Sequence, residues 1–460
     1  ANTTGSENTA VGQNALDANT TGQGNTCMGQ SSLSANTTGG TNVAIGVDAL
    51  NANTTASNNV AVGKSALAAN TTGANNVSVG ALALDANTTG TGHVAVGYAA
   101  LGANTTANNN TAVGNNSMPS NTTGAGNTAV GNSSLNANTT ASNNTGVGYL
   151  ALAANTTGAD NCAFGASALA ANTTGGDNNA FGKQCLNANT TGSGNTAMGH
   201  ASLDANTTAS GNTAFGSASL SANTTAENNT AVGKDSAKYT TTGGGNTAIG
   251  RQALEDNTSG ANNTALGYFA AGNLTGGGDV VCIGKSAGDT ITGGGNSVII
   301  GSTADASGAN VSNEIVIGYA SAGKGANTGY INPNSGGVYQ GNNSTTWSTT
   351  SDRRIKKNIE DNNIGLDAIK DIRVRNFEYR TIDEITDFEN PKSAVVKKEG
   401  VQLGVIAQEI EEILPDVVKT ETTGVMTVNA DNITWYLVNA IQELSAEVEE
   451  LKQQLNNNEE

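Results

Sequence analysis

The chain has 460 residues, 60 of them Gly and only 4% of them aromatic, so several large aromatic-rich cores are excluded. Its net charge of -18 argues against binding to nucleic acid or to an anionic membrane through bulk electrostatics. The apolar runs are far shorter than the roughly 20 residues that span a bilayer, so no membrane span is expected.

The chain opens with an internal repeat of 17 residues. Gly recurs at this interval nineteen times, from Gly12 to Gly318. An apolar residue precedes each of these glycines, Ala usually precedes that residue, and Leu usually lies four residues after the Gly. The consensus is A-N-T-T-G-x-x-N-T-A-V-G-x-x-A-L-x. A unit of this length is too short for a helix pair or a propeller blade, and it predicts a mainly β chain with a parallel β-solenoid over residues 1–318.

Each coil is expected to contain two short strands, N-T-A-V and x-A-L-x. These strands end at Gly on one side and at Asn-Thr-Thr-Gly on the other, where Gly and Asn tolerate positive φ. Coils stacked at roughly 4.8 Å would form a rod about 90 Å long. The Asn that recurs at Asn8, Asn25 and Asn42 is expected to form a ladder of side-chain amides along the rod.

The apolar residue before each Gly is expected to be buried. The neighbouring Ala points to the opposite face of the same strand, and neither position is charged. A single solenoid needs only one apolar strand face, which lines its interior. Two apolar faces therefore indicate that chains pack side by side. We expect a homotrimer in which the small Ala face points towards a partner chain.

The repeat resembles the head of YadA-like trimeric autotransporter adhesins, whose repeats read like N-S-V-A-I-G. The matching stretches are N-V-A-I-G from Asn42 to Gly46 and N-T-A-I-G from Asn246 to Gly250. This resemblance covers residues 1–318 and implies a β-roll of three chains.

Residues 319–350 form a connector rich in Gly, Asn and Ser. Tyr330, Tyr339 and Trp347 in this connector are candidates for binding a host cell-surface glycan, and aromatic packing between chains explains them equally well. Beyond the connector Gly becomes rare and charged residues become frequent, which places a domain boundary before residue 351.

Residues 351–460 resemble the endosialidase-type intramolecular chaperone and autoprotease domain of phage tailspikes and tail fibres. The motifs that carry the resemblance are S-D-R-R-I-K-K-N-I from residue 351, L-G-V-I-A-Q-E-I from residue 403 and L-P-D-V-V from residue 414. The resemblance implies a small α+β domain that gathers three chains and releases itself by cleavage.

The resemblance assigns catalytic roles to Ser351, as nucleophile, and to Lys356, as general base. A Lys can activate a Ser hydroxyl if burial lowers its pKa towards neutrality. The implied scissile bond joins Thr350 to Ser351, so the enzymatic activity is at most that of a single-turnover serine autoprotease. Without the surrounding motifs, a Ser and a Lys at this spacing would more often be two surface residues.

A short coiled coil is expected over residues 435–456. Its apolar residues step by four and three along the chain. The pattern of Ile and Val at one core position and Leu at the other leans towards dimers, but fewer than three heptads constrain the number of chains weakly. We therefore assign the trimerisation contacts to Leu437, Ile441, Leu444, Val448, Leu451 and Leu455.

These features predict a structural trimeric fibre for host-surface attachment, located in a virion tail fibre or in another extracellular appendage. A missing N-terminal part is expected to carry the anchor, since the chain begins inside a repeat. A polysaccharide depolymerase and an ice-binding or surface-layer rod remain alternatives. No cofactor, metal or nucleic acid partner is expected, because His93 and His200 are isolated from each other and the four Cys look like small buried hydrophobes.

Overall fold

The computed structural model describes residues 2–333, 337–341, 353–386, 396, 398–421 and 424–457. The chain divides into two compact units, residues 1–350 and residues 351–460. Among the described helices, none combines the length and the apolar character needed to cross a membrane.

The first unit is a parallel β-solenoid whose coils follow the 17-residue repeat, as predicted. Each strand pairs with the strand 17 residues further on, for example Val43 with Val60 and Ile45 with Val62. The strands are β1 Thr9–Val11, β2 Thr26–Met28, β3 Val43–Ile45, β4 Val60–Val62, β5 Val77–Val79, β6 Val94–Val96, β7 Thr111–Val113, β8 Thr128–Val130, β9 Thr145–Val147, β10 Cys162–Phe164, β11 Asn179–Phe181, β12 Thr196–Met198, β13 Thr213–Phe215, β14 Thr230–Val232, β15 Thr247–Ile249, β16 Thr264–Leu266, β17 Val281–Ile283, β18 Val298–Ile300 and β19 Ile315–Ile317.

The expectation of two strands per coil was wrong. Only the N-T-A-V segment forms a strand, and the A-L segment forms turns. Leu50 illustrates the reason, because its backbone has φ of 53° and lies in the left-handed region. Its N–H still donates to the carbonyl oxygen of Ala66 in the next coil at 3.0 Å, so the corner is hydrogen-bonded without being a strand.

The assignment of the two strand faces was also wrong. Ala44 and its counterparts point into the coil and are fully buried, where they pack with the Leu of the neighbouring corner. The apolar residue before each Gly points outwards, and Val11, Met28 and Ile45 are 54%, 51% and 36% exposed. The small face is therefore the interior of the solenoid and cannot contact a partner chain.

The recurring Gly is required by the close approach of successive coils. Gly46 has φ of 134°, and a Cβ added to it would lie 2.4 Å from the carbonyl oxygen of Gly63. Any other residue would clash with the backbone of the next coil as well as straining its own.

Two buried Asn ladders run along the solenoid. The first is the predicted one: Asn42 donates its backbone N–H to Asn25 Oδ1 at 3.0 Å and its side-chain N–H to Ala56 O at 2.9 Å. The second ladder consists of the Asn of each Asn-Thr-Thr turn. The sequence predicts these residues only as turn residues. There Asn36 Nδ2 donates to Asn19 Oδ1 at 2.8 Å. Both ladders satisfy polar groups that would otherwise destabilise a thin core.

In the last coils the larger interior side chain lies at the strand Ala position instead of the Leu position. The Leu position becomes Ala271 and then Gly288, while the strand Ala position becomes Cys282 and then Ile299. A Cβ added to Gly288 would lie 2.4 Å from Cys282 Sγ, so the larger strand residue occupies the space that Leu fills elsewhere.

The solenoid ends in a shortened coil. Strand β19 pairs in parallel with β20, Gly329–Ile331, which then pairs antiparallel with β21, Val338–Gln340. Glu314 occupies the Asn-ladder position here and is fully buried. Its carboxylate accepts the backbone N–H groups of Ser307 at 2.9 Å and Gly325 at 2.7 Å, so it closes the first ladder with two backbone partners.

The second unit is a small α+β domain. Its described helices are α1 Leu366–Asp371, α2 Ala407–Glu411 and α3 Ala430–Asn457, and short 3-10 helices lie at Arg353–Ile355, Ile382–Glu384 and Pro415–Val417. Two antiparallel strand pairs join β22 Arg375–Phe377 to β23 Gln402–Gly404 and β24 Val418–Thr420 to β25 Met426–Val428. Its small core is centred on Ile410, Leu414, Val417 and Tyr436.

Candidate functional site

The predicted cleavage site lies at the start of the second unit. Thr350 and Ser351 lie outside the described residues. Lys356 follows the first 3-10 helix, and its backbone N–H donates to the carbonyl oxygen of Arg353 at 3.2 Å. The Lys356 side chain is exposed, so the structure gives this amine no buried surroundings. The catalytic pair therefore stays a prediction.

The first half of helix α3 is hydrogen-bonded to the rest of the second unit. Glu443 accepts the N–H of Leu366 at 2.6 Å, where helix α1 begins. Asn439 donates to the carbonyl oxygens of Asn362 at 2.7 Å and Ile364 at 3.1 Å. These contacts hold the first half of α3 against the domain, while the second half extends beyond its core.

Two polar pairs brace the same domain. Arg375 and Glu409 form a bidentate ion pair at 2.7 and 3.2 Å, and the hydrogen bond from Arg375 lowers the pKa of Glu409. The Tyr436 hydroxyl donates to Asp416, and this contact together with burial raises the pKa of Tyr436. Both pairs are positioned to hold α2 and α3 in place.

The six predicted trimerisation residues lie in α3, and all are exposed in the single chain. Ile441, Leu451 and Leu455 are 65%, 63% and 64% exposed. Leu437, Leu444 and Val448 are 41–48% exposed. A helix that exposes a continuous apolar seam is typical of a coiled-coil strand without its partners.

A second apolar surface runs along the outside of the solenoid. It is formed by the third residue of each strand, which is always apolar, and by the first residue, which is Thr or Asn in eleven of the nineteen strands and apolar in the others. We call it the outer stripe. In β10 and β11 the rings of Phe164 and Phe181 stack with centroids 5.3 Å apart. No charged residue occupies either position in strands β1 to β19. A continuous row of exposed apolar residues along one face is typical of an interaction surface.

The connector aromatics do not form a described glycan site. The Tyr330 ring packs against the solenoid core, and the Lys324 amine lies 4.5 Å from its centroid. The Tyr339 side chain and Trp347 lie outside the described residues. Tyr330 therefore belongs to the end of the solenoid, and the proposed role of the other two stays a prediction.

The two alternative functions find little support in the geometry. Asp289 and Asp305 share a hydrogen bond, and burial is the main cause that raises the pKa of Asp289 to about 6. Carboxylates in contact are closer than the roughly 5 to 9.5 Å that glycoside hydrolysis requires. The first Thr of each turn donates its hydroxyl to the next coil, as Thr37 does to Thr54 O at 3.1 Å, so the hydroxyl proton is used inside the solenoid.

The isolated histidine and cysteine residues have structural roles in the solenoid. His93 replaces a ladder Asn and is fully buried: Nδ1 accepts the N–H of Asn110 at 3.2 Å, and Nε2 lies 2.7 Å from Ala107 O. Cys27, Cys185 and Cys282 are buried as expected, whereas Cys162 is half-buried on the outer stripe. No group of three or more His, Cys, Asp or Glu among the described residues is arranged to hold a metal.

Comparison with known proteins identifies a family in the second unit. Residues 351–419 match a protein family described as chaperone of endosialidase. The chain therefore carries an endosialidase-chaperone segment after a parallel β-solenoid, as its motifs predicted. The match ends at residue 419, before helix α3, whereas the resemblance was expected to extend to residue 460.

The chain is also similar to long tail fiber protein Gp37 of Enterobacteria phage M1 and to the protein of the same name of Enterobacteria phage Ox2. Each is 35% identical over 106 residues, which is 22% of this chain and 38% of the relative. The chain thus spans about two fifths of the length of these relatives. No solved structure matches it.

Proposed function

We propose that the chain is part of a phage tail fibre that attaches the virion to a host surface. The solenoid forms a shaft, and the C-terminal unit is an assembly domain that gathers three chains. The observation that carries this proposal is the endosialidase-chaperone match directly after a rigid repeat structure, in a chain similar to two long tail fiber proteins.

Self-association would cover two surfaces that the single chain exposes. The seam of α3 supports a three-stranded coiled coil, and the outer stripe supports side-by-side packing of three solenoids. The outward Val face replaces the Ala face as the proposed contact, because the Ala face is buried inside each coil. Burial of apolar surface at roughly 25 cal/mol per Å² would stabilise such an assembly.

Autocleavage would follow assembly. In the proposed step Lys356 takes the proton of the Ser351 hydroxyl, and the Ser351 oxygen attacks the Thr350 carbonyl. The bond to the Ser351 nitrogen breaks, that nitrogen takes the proton, and water hydrolyses the resulting ester. Burial of Lys356 by neighbouring chains would lower its pKa and so couple cleavage to assembly.

The test is the mass of the full chain under denaturing and native conditions, beside the variants Ser351→Ala and Lys356→Ala. We expect the wild type to give fragments of residues 1–350 and 351–460, and both variants to stay whole while remaining trimeric. Ser348→Ala is the control and should cleave as the wild type does. Whole monomers for every protein would contradict both the trimer and the catalytic pair.

A further inference from the structure

The basic residues of the solenoid are concentrated at one position of the repeat. Five of the six Lys and Arg residues in residues 2–318 directly follow the recurring Gly, and none of the 15 acidic residues in that range does. The same position holds four Tyr and one His. From coil to coil along its C-terminal half it reads Lys183, His200, Ser217, Lys234, Arg251, Tyr268, Lys285, Ser302 and Tyr319. We call these nine residues the basic row.

The side chains of the basic row are largely exposed, and its backbone is hydrogen-bonded to the neighbouring coils. Tyr268 is 45% exposed and Tyr319 is 76% exposed, and the four Lys and Arg side chains are exposed as well. The backbone carbonyl of each member before Tyr319 accepts an N–H from the next coil, as Lys234 O does from Gln252 at 3.0 Å and Lys285 O does from Thr303 at 2.8 Å. The row therefore places one side chain per coil on a backbone that is hydrogen-bonded from coil to coil.

The cations of the row are available to a ligand. Lys183 and Lys285 form no ion pair with any described residue. Lys234 lies 3.7 Å from Asp235, and its side chain is 62% exposed, so water screens that pair strongly. The Arg251 guanidinium lies 5.8 Å from the centroid of the Tyr268 ring, which places a cation beside an exposed aromatic face.

The spacing indicates which anion fits. At roughly 4.8 Å per coil, Lys234 and Arg251 are one coil apart, Arg251 and Lys285 two, and Lys183 and Lys234 three. Duplex DNA carries one charge per about 1.7 Å, and a chain with a net charge of -18 would repel so dense a polyanion. A polymer with one charge per sugar or per few sugars would match the row more closely. Pyranose rings can also stack on Tyr268 and Tyr319.

We propose that the basic row binds a linear acidic polysaccharide along the solenoid, with carboxylate or phosphate groups on the Lys and Arg residues and sugar rings on the Tyr residues. This inference rests on the proposed function, because it requires a fibre that meets a cell surface. It places glycan recognition on the shaft itself, away from the connector aromatics.

The test measures binding of a ten-residue oligogalacturonate to the full chain at about 50 mM salt, where screening is weak. The variant Lys183→Ser/Arg251→Ser/Lys285→Ser removes three cations of the row. Ser occurs naturally in the row at Ser217 and Ser302, so the coils accommodate it. The control Lys238→Ser/Lys324→Ser/Lys370→Ser removes three cations that do not follow the recurring Gly of the repeat and changes the net charge equally.

We expect the row variant to bind about tenfold more weakly than the wild type and the control to bind within about threefold of it, since each exposed pair contributes modestly. A neutral glucan of the same length and inorganic polyphosphate should both bind more weakly than oligogalacturonate. Equal loss in both variants, tighter binding of polyphosphate, or no binding by the wild type would overturn the proposal.

Native mass on the same samples separates this inference from the proposed function. If the row variant still assembles and cleaves like the wild type but binds the probe unchanged, only the basic row is wrongly assigned. If the row variant loses its oligomeric state, the row is a contact between copies of the chain and not a glycan site.

Discussion

Leu50 and its counterparts adopt a backbone conformation that L-residues usually avoid, and burial explains why they do so. The left-handed conformation costs roughly 1–2 kcal/mol for a residue with a Cβ. Burying a Leu side chain stabilises the fold by about 1.5–3 kcal/mol, and Leu50 is fully buried. The corner therefore tolerates Leu because its side chain fills the interior that the strand Ala leaves open.

His93 is a fully buried titratable residue of the solenoid. Burial lowers its pKa below the ordinary value of 6.5, because the charged ring would lose its hydration. The folded coil therefore holds neutral His93, while the unfolded chain takes up a proton below about pH 6.5. The stability that neutral His93 contributes is present above that pH and is lost as the pH falls below it.

We expect His93→Asn to remove this pH dependence, since Asn is the ladder residue of the neighbouring coils. Between pH 7.5 and 5.5 the wild type should lose stability relative to the variant, by at most about 1.4 kcal/mol per pH unit. Urea unfolding at both pH values measures the difference. His200→Asn is the control, because His200 is exposed. An unchanged difference between wild type and His93→Asn across this range would contradict the role of His93.

At the scale of elements, the sequence predicts the period and register of the solenoid but not which strand face lies inside. The recurrence of Gly fixes the 17-residue offset that pairs Val43 with Val60. Ala44 and Ile45 lie on opposite faces of the strand and both are apolar, so this pattern does not indicate which face is buried. The path of the backbone around the corner determines it. Leu50 enters the coil from that corner and leaves room for Ala44 alone, so Ile45 faces outwards.

For helix α3 too, the sequence predicts only part of the structure. Its heptads predict a coiled coil, and the structure shows the helix with its apolar seam exposed, but one chain does not reveal the number of partners. The candidate catalytic pair depends on the family motifs for the same reason. Ser351 and Lys356 acquire a role only if other chains or segments bury the amine, which spacing in one sequence does not encode.

We expect Ile441→Glu/Leu451→Glu to reduce the proposed trimer to monomers, because two charges per chain would be buried in the seam. Ala446→Glu/Gln453→Glu adds the same two charges off the seam and should leave the trimer intact. Native mass spectrometry and sedimentation distinguish the two outcomes. A trimer that survives the seam substitutions would show that α3 is not the contact between chains.

For the whole molecule, the repeat that makes the solenoid regular would also make the proposed trimer prone to misaligned assembly. Every coil presents nearly the same outer stripe, so three chains could align with an offset of one or more coils at little cost. A C-terminal domain that brings three chains together would fix the first coil contact and allow the rest to follow from it. Cleavage would then remove that nucleus, and the finished fibre could not easily re-form once unfolded.

The last prediction follows from this order of events. After unfolding in guanidinium and dilution, the uncleaved Ser351→Ala variant should recover its native trimer several-fold better than the cleaved wild-type shaft, because only the variant still has its assembly domain attached. The fraction of native mass recovered measures this, with uncleaved and cleaved chains refolded at the same concentration. The control Ser348→Ala should cleave and then refold as poorly as the wild type. Equal recovery of the variant and the cleaved shaft would mean that the solenoid finds its own register, and the C-terminal unit would then need a different role.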